Sequence, residues 1–167
     1  MRSWLACGLS GLGVLLAVPL DAATTSSFMV TAQIVAGCLV VGGVSSYGTL
    51  DYGSQSALAT GGLDTSLGGT TVTFQCTPGV ALSMSVDGGQ NSASGTRNLK
   101  RTGGTQVLAY QLYRDAAYSQ SLGIGQSVAV SYTDPTAIKL PVYGRVQLTG
   151  TLPAGTYTDV VQVTVTW

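Results

Sequence analysis

An all-β fold of sandwich type is what this sequence predicts, and three features carry the prediction. Gly is abundant at 23 of 167 residues, Ser, Thr and Val are plentiful, and Glu is absent, so helix formers are scarce. No segment carries an apolar stripe of helical period. Short β-branched runs instead alternate with turn clusters, the pattern of many short strands in a sandwich.

Taken in order, the runs fall at 28–36, 38–41, 49–52, 71–77, 81–86, 107–113, 127–132, 138–148 and 157–167. Gly42-Gly43, Gly61-Gly62, Gly68-Gly69, Asp87-Gly88-Gly89, Gly103-Gly104, Asp134-Pro135 and Pro153-Ala154-Gly155 punctuate them as turns. The first run sets Phe28, Val30, Ala32, Ile34 and Ala36 on one phase against Thr31 and Gln33 on the other. It reads as an ordinary first strand, or as a strand meant for another molecule. The last run, GTYTDVVQVTVTW, puts Tyr157, Asp159, Val161, Val163, Val165 and Trp167 on one phase. A long edge strand with an apolar face invites association, so a partner strand is expected beside it.

The N-terminus has the layout of a secretory signal. A short basic start is followed by an apolar run too short to cross a membrane and by small residues at Ala22 and Ala23. The expected organisation is a signal peptide at 1–22, a flexible leader and first strand at 23–36, and one β domain at 37–167, with no membrane span in the mature chain. Cys7 would leave with the signal. Cys38 and Cys76 then remain as an even pair in an exported chain, and a disulfide is the expected outcome over a redox or metal site.

Charge is sparse and balanced, with seven basic and seven acidic residues. That gives no electrostatic footprint for nucleic acid or an anionic surface. With no His and no Glu, Ser-His-Asp and Cys-His catalysis and His-based metal sites are impossible. Asp87 and Asp134 sit in turn contexts, and Asp51, Asp64, Asp115 and Asp159 are scattered without a pairing interval. The stretch Asp87-Gly88-Gly89-Gln90-Asn91 lacks the repeated acids of a calcium loop and reads as a turn. Arg97, Lys100 and Arg101 read as a solvated loop. The aromatic run at 110–118 reads as core packing with hydroxyls at the rim, with a sugar platform as the alternative. Neither an enzyme, a cofactor nor a metal is expected.

Several stretches, taken together, resemble the spore coat protein U domain family, which includes subunits of archaic, Csu-type chaperone–usher pili. They are YGTLDYG at 47–53, VTFQC at 72–76, VDGG at 86–89, LAYQLYRDA at 108–116, LPVYG at 140–144 and GTYTDV at 155–160. The resemblance implies an immunoglobulin-like sandwich that lacks one strand. A periplasmic chaperone fills the gap, and the leader of another subunit then replaces it at an outer-membrane usher. Main-chain bonds give such strand addition its affinity and alternate side chains its specificity. On this sequence the implied donor residues are Phe28, Val30, Ala32 and Ile34. The implied acceptor and chaperone-contact residues are Val161, Val163, Val165 and Trp167, and Cys38 and Cys76 match the family's internal bridge. The implied role is a structural subunit within an adhesive surface pilus, serving attachment and biofilm formation. Two other classes stay open: a secreted coat or matrix protein whose leader completes its own sandwich, and a carbohydrate-binding module.

Overall fold

The computed structural model describes residues 27–43, 46–67 and 72–167. The expected signal peptide at 1–22 lies outside the described residues. The chain divides into two units, Met1–Ile34 and Val35–Trp167. In the first, residues 27–34 form no strand and are exposed throughout: Phe28, Val30 and Ile34 stand at 86%, 80% and 95% of full exposure. The run expected as a strand at 28–36 is therefore not one. An alternating sequence makes a strand only where a second backbone pairs with it, and no ladder among the described residues includes these.

The second unit is all-β and antiparallel. Its strands are β1 (Cys38–Val40), β2 (Thr60–Ser66), β3 (Thr73–Cys76), β4 (Leu82–Val86), β5 (Arg97–Arg101), β6 (Val107–Tyr113), β7 (Val128–Val130), β8 (Ile138–Lys139), β9 (Tyr143–Thr149), β10 (Tyr157–Thr158) and β11 (Val163–Thr166). A five-stranded sheet runs β10-β5-β6-β9-β2, and two three-stranded sheets run β1-β3-β8 and β11-β4-β7. All three sheets turn residues into one core. Tyr110, Leu112 and Val146 come from the large sheet, Phe74, Cys76 and Ile138 from one small sheet, and Leu82, Met84, Val86 and Val130 from the other. Strand β4 shows the pattern most cleanly: Leu82, Met84 and Val86 are buried, while Ser83 and Ser85 between them are not.

Several expectations change on contact with the tertiary structure. Strand β6 spans the residues the sequence indicated. The run at 138–148 is two strands, interrupted around Pro141, which has no N–H to give a ladder. Gly61-Gly62, read as a turn, lies inside β2, because β2 pairs with β9 from Thr60↔Thr149 to Ser66↔Tyr143 and that register overrides local preference. Arg97 to Arg101, read as a solvated loop, forms β5 between β10 and β6. The run at 49–52 forms no strand, only an isolated bridge at Thr49.

The run at 157–167 is divided for a different reason. It begins in the five-stranded sheet, where Tyr157 and Thr158 face Arg101 and Lys100. It ends in a small sheet, where Val163 to Thr166 face Val86 to Ser83. Between Thr158 and Val163 the chain changes sheets, and the turn at 87–91 holds the crossing. There Val160 O accepts from Gln90 N at 3.1 Å, and Gln162 O accepts from Asp87 N at 3.0 Å.

Candidate functional site

A cavity of about 600 Å³ lies on the inward face of the five-stranded sheet. Its floor is apolar: Leu63 of β2, Leu99 of β5, Leu108 of β6, and Val146 and Leu148 of β9. One wall is the irregular segment 49–57, and the other is 152–159, which includes β10. Leu50, Leu63, Leu99, Leu108 and Leu148 are only half-buried although they pack against the core. Such a floor between two stretches of main chain suits an extended segment whose alternate side chains point inward.

The wall at 49–57 is fixed from below. Thr65 Oγ1 of β2 donates to Asp51 O at 2.7 Å, and Asp51 Oδ1 accepts from Gly53 N at 2.8 Å to close a tight turn. The Tyr52 ring lies over Gly144 of β9, and its hydroxyl is buried with no hydrogen-bond partner among the described residues. Burial, followed by the nearby Tyr118 and Asp64, pushes the Tyr52 phenol well above its ordinary value.

The opposite wall is fixed at Asp159. Its Oδ2 accepts from Tyr110 Oη at 2.7 Å, and its Oδ1 accepts from Asn91 N at 3.1 Å and Asn91 Nδ2 at 3.0 Å. Asp87 makes the complementary contact, its Oδ1 accepting from Gln162 N at 2.8 Å. Gly89, at φ +78°, has no side chain to obstruct the Asp159 carboxylate. Burial, then the hydrogen bond to Asp159, pushes the Tyr110 phenol far above its usual range. The two aspartates that the sequence left in a turn and scattered thus serve one strand crossing, each accepting from the other's segment. The 68 and 75 residues between donor and acceptor hid the arrangement.

Arg97, expected in solvent, is 5% exposed. Its guanidinium donates only to carbonyls: Nε to Asp87 O at 2.7 Å, Nη1 to Leu122 O at 2.7 Å, and Nη2 to Val86 O at 2.8 Å and Gly123 O at 3.3 Å. Burial lowers its pKa, while Tyr110, Asp87 and Asp159 nearby act the other way. Within protein it stays a cation. It joins the end of β4 to the segment after β6.

The residues expected in the acceptor are partly brought together. Val161, Val163 and Val165 are half-buried and pack against the core, while Thr164 and Thr166 face out. They continue the strand beyond the cavity wall rather than lining the cavity itself. Trp167 is 57% exposed, and its Nε1 lies 3.9 Å from where a side chain on Gly37 would begin. Among the described residues, strand β11 pairs only with β4, β10 only with β5, and β1 only with β3. The floor residues went unrecognised in the sequence. Their only signal is a Leu or Val on the inward phase of four separate strands.

Cys38 and Cys76 are bonded and face each other across the β1–β3 ladder, with Cα atoms 4.0 Å apart. Next to them Thr77 N donates to Gly37 O at 2.9 Å, so bond and ladder together hold the short β1 in register. The aromatic run at 110–118 separates. Tyr110 is in the core, whereas Tyr113 and Tyr118 are half-buried and meet edge to face at 5.4 Å. Arg145 stacks on the Tyr118 ring at 4.2 Å and forms an ion pair with Asp64. The hydrogen bond to Arg145 holds the Asp64 carboxyl below its ordinary pKa. Among the described residues no helix is long and apolar enough to cross a membrane.

Fold and cavity define a disulfide-bonded, all-β antiparallel domain with an apolar-floored groove between two stretches of main chain. The model of the Spore Coat Protein U domain matches residues 24–164, and the chain belongs to that family. No curated protein matches it. Among solved structures, it is similar to a chain from the CsuC–CsuE chaperone–tip adhesion subunit pre-assembly complex of archaic chaperone–usher Csu pili of Acinetobacter baumannii. That likeness has a TM-score of 0.47 and 19% identity, over 80% of this chain and 40% of that one. A chain from a chaperone–tip adhesin complex of CFA/I fimbriae biogenesis matches with a TM-score of 0.46 and 17% identity, over 78% of this chain and 41% of that one. The chain thus spans about two fifths of the length of each.

Proposed function

We propose that this chain is a structural subunit of an adhesive surface pilus, exported through the periplasm and assembled by chaperone–usher donor-strand exchange. In this reading a periplasmic chaperone first occupies the groove. At an outer-membrane usher, the leader of another subunit then displaces it, with Phe28, Val30, Ala32 and Ile34 inserted between the walls at 49–57 and 152–159, alongside the strand that Val161, Val163 and Val165 continue. The observation that carries the proposal is the half-buried apolar floor under a cavity of about 600 Å³, in a chain that also carries an alternating apolar leader. Burying a side chain of Val, Ile or Phe size contributes roughly 1.5–3 kcal/mol, so the three such insertions of Phe28, Val30 and Ile34 hold a strand firmly. Family membership supports the same reading.

Deleting residues 24–36 tests it. The truncated chain should still be recovered bound to its chaperone, yet fail to add to a growing fibre behind another subunit. Normal incorporation of the truncated chain would refute the proposal. A sugar platform along 110–118 is weakened by the burial of Tyr110.

A further inference from the structure

We infer that Gly144 is a positioning residue for the groove: its missing side chain makes the seat in which the Tyr52 ring fixes the wall at 49–57. The inference rests on the strand-accepting reading above and adds to it the device that holds one wall in place. Tyr52 and Gly144 come from two of the stretches that carry the family resemblance, YGTLDYG and LPVYG, far apart in sequence.

Three observations lead to it. Gly144 is buried in the middle of the five-stranded sheet, opposite Thr65 on β2 and Leu112 on β6, a position that conformational freedom does not require to be glycine. No positive φ is found there. What glycine supplies is space: a Cβ at 144 would stand 3.2 Å from Tyr52 Cζ, closer still to Tyr52 Oη, and 3.4 Å from Leu50 Cδ1. The segment above forms no strand; among the described residues it is held by the isolated bridge at Thr49, by Leu50 and Tyr52 packing against the core, and by the bond from the Thr65 side chain to Asp51 O. The buried Tyr52 hydroxyl has no partner among the described residues, so the ring is seated by shape and not by a hydrogen bond.

The test uses the full exported chain, with two readouts. Amide hydrogen exchange over 49–57 reports the wall, and fluorescence anisotropy with a labelled synthetic peptide of residues 27–37 reports the groove. Gly144→Ala should raise exchange at 49–57 at least tenfold, with β4 and β6 unchanged, and should weaken peptide binding at least tenfold. Tyr52→Phe should leave both readouts within about threefold, because the hydroxyl contributes no bond. Adding Tyr52→Phe to Gly144→Ala should restore part of the binding by removing the tightest contact, a rescue that general destabilisation does not predict. If Gly144→Ala does not fold, Tyr52→Ala empties the seat from the other side and should produce the same two changes. Unchanged exchange at 49–57 overturns the inference, as does unchanged peptide affinity in a chain whose wall has loosened. A loosened wall in a chain whose wild-type form ignores the peptide leaves the seat established and overturns the strand-accepting reading instead.

Discussion

Replacing Arg97 with Met keeps most of the side chain's volume and removes its guanidinium. Four carbonyls then lose a donor: Asp87 O and Leu122 O at 2.7 Å, Val86 O at 2.8 Å and Gly123 O at 3.3 Å. Val86 O keeps a second donor, the amide of Gly125 at 2.8 Å, and the bond to Gly123 is long. The cost therefore falls mainly on the carbonyls of Asp87 and Leu122, at roughly 1–3 kcal/mol for each buried acceptor left unpaired. Taking the buried cation away recovers part of its desolvation cost, which sets the expected loss at about 3 kcal/mol. Equilibrium urea unfolding of the oxidised chain measures it, with the midpoint lowered and the slope unchanged. Arg97→Lys should fall between, because one ammonium cannot reach carbonyls on both sides of a planar fork. A loss below about 1 kcal/mol for Arg97→Met would show that Arg97 is a tolerated passenger and not the clamp between β4 and the segment after β6.

Further outcomes follow from the same network. Asp159→Ala removes the acceptor of Tyr110 Oη and Asn91, so stability should fall by about 2–3 kcal/mol, with faster amide exchange across 158–162; faster exchange confined to other segments would contradict the fixing of this wall at Asp159. Replacing both Cys38 and Cys76 by Ala opens a loop with a separation of 38 residues, a loss of about 4 kcal/mol by chain entropy, to be read in the same urea titration against a wild-type chain. The raised phenols of Tyr52 and Tyr110 make stability alkali-sensitive. Above a pH of about 10 the unfolded chain releases phenolic protons that the folded chain retains, so the stabilisation present below that pH is lost as pH rises further. Urea midpoints between pH 8 and 11 should fall less steeply in the Tyr52→Phe, Tyr110→Phe double variant; equal slopes would remove these two groups as the cause.

Secondary-structure content was legible where period and composition agreed. Leu82, Met84 and Val86 alternate with serines, and β4 follows that alternation residue by residue. The disulfide was legible for a similar reason, since few cysteines leave few pairings. Arg97, Lys100 and Arg101 illustrate the opposite case. A basic cluster is ordinarily solvated, and only the convergence of the Asp87, Leu122 and Val86 carbonyls makes the interior a tolerable place for a guanidinium. Gly61-Gly62 misled in the same way, because strand β9 alongside decides their conformation and lies more than 80 residues on.

By itself, then, the sequence determined an all-β chain with a bridge between Cys38 and Cys76, an alternating leader, and a final run with an apolar phase; these depend on residue type and on spacing within a few positions. The groove was decided only by tertiary structure. Its floor draws one or two residues each from β2, β5, β6 and β9, its walls depend on Tyr52 finding Gly144 and Asp159 finding Tyr110, and the last run changes sheets where the turn at 87–91 receives it. Contacts of that kind join residues distant in the chain through shape and directed hydrogen bonds, and no local period records them.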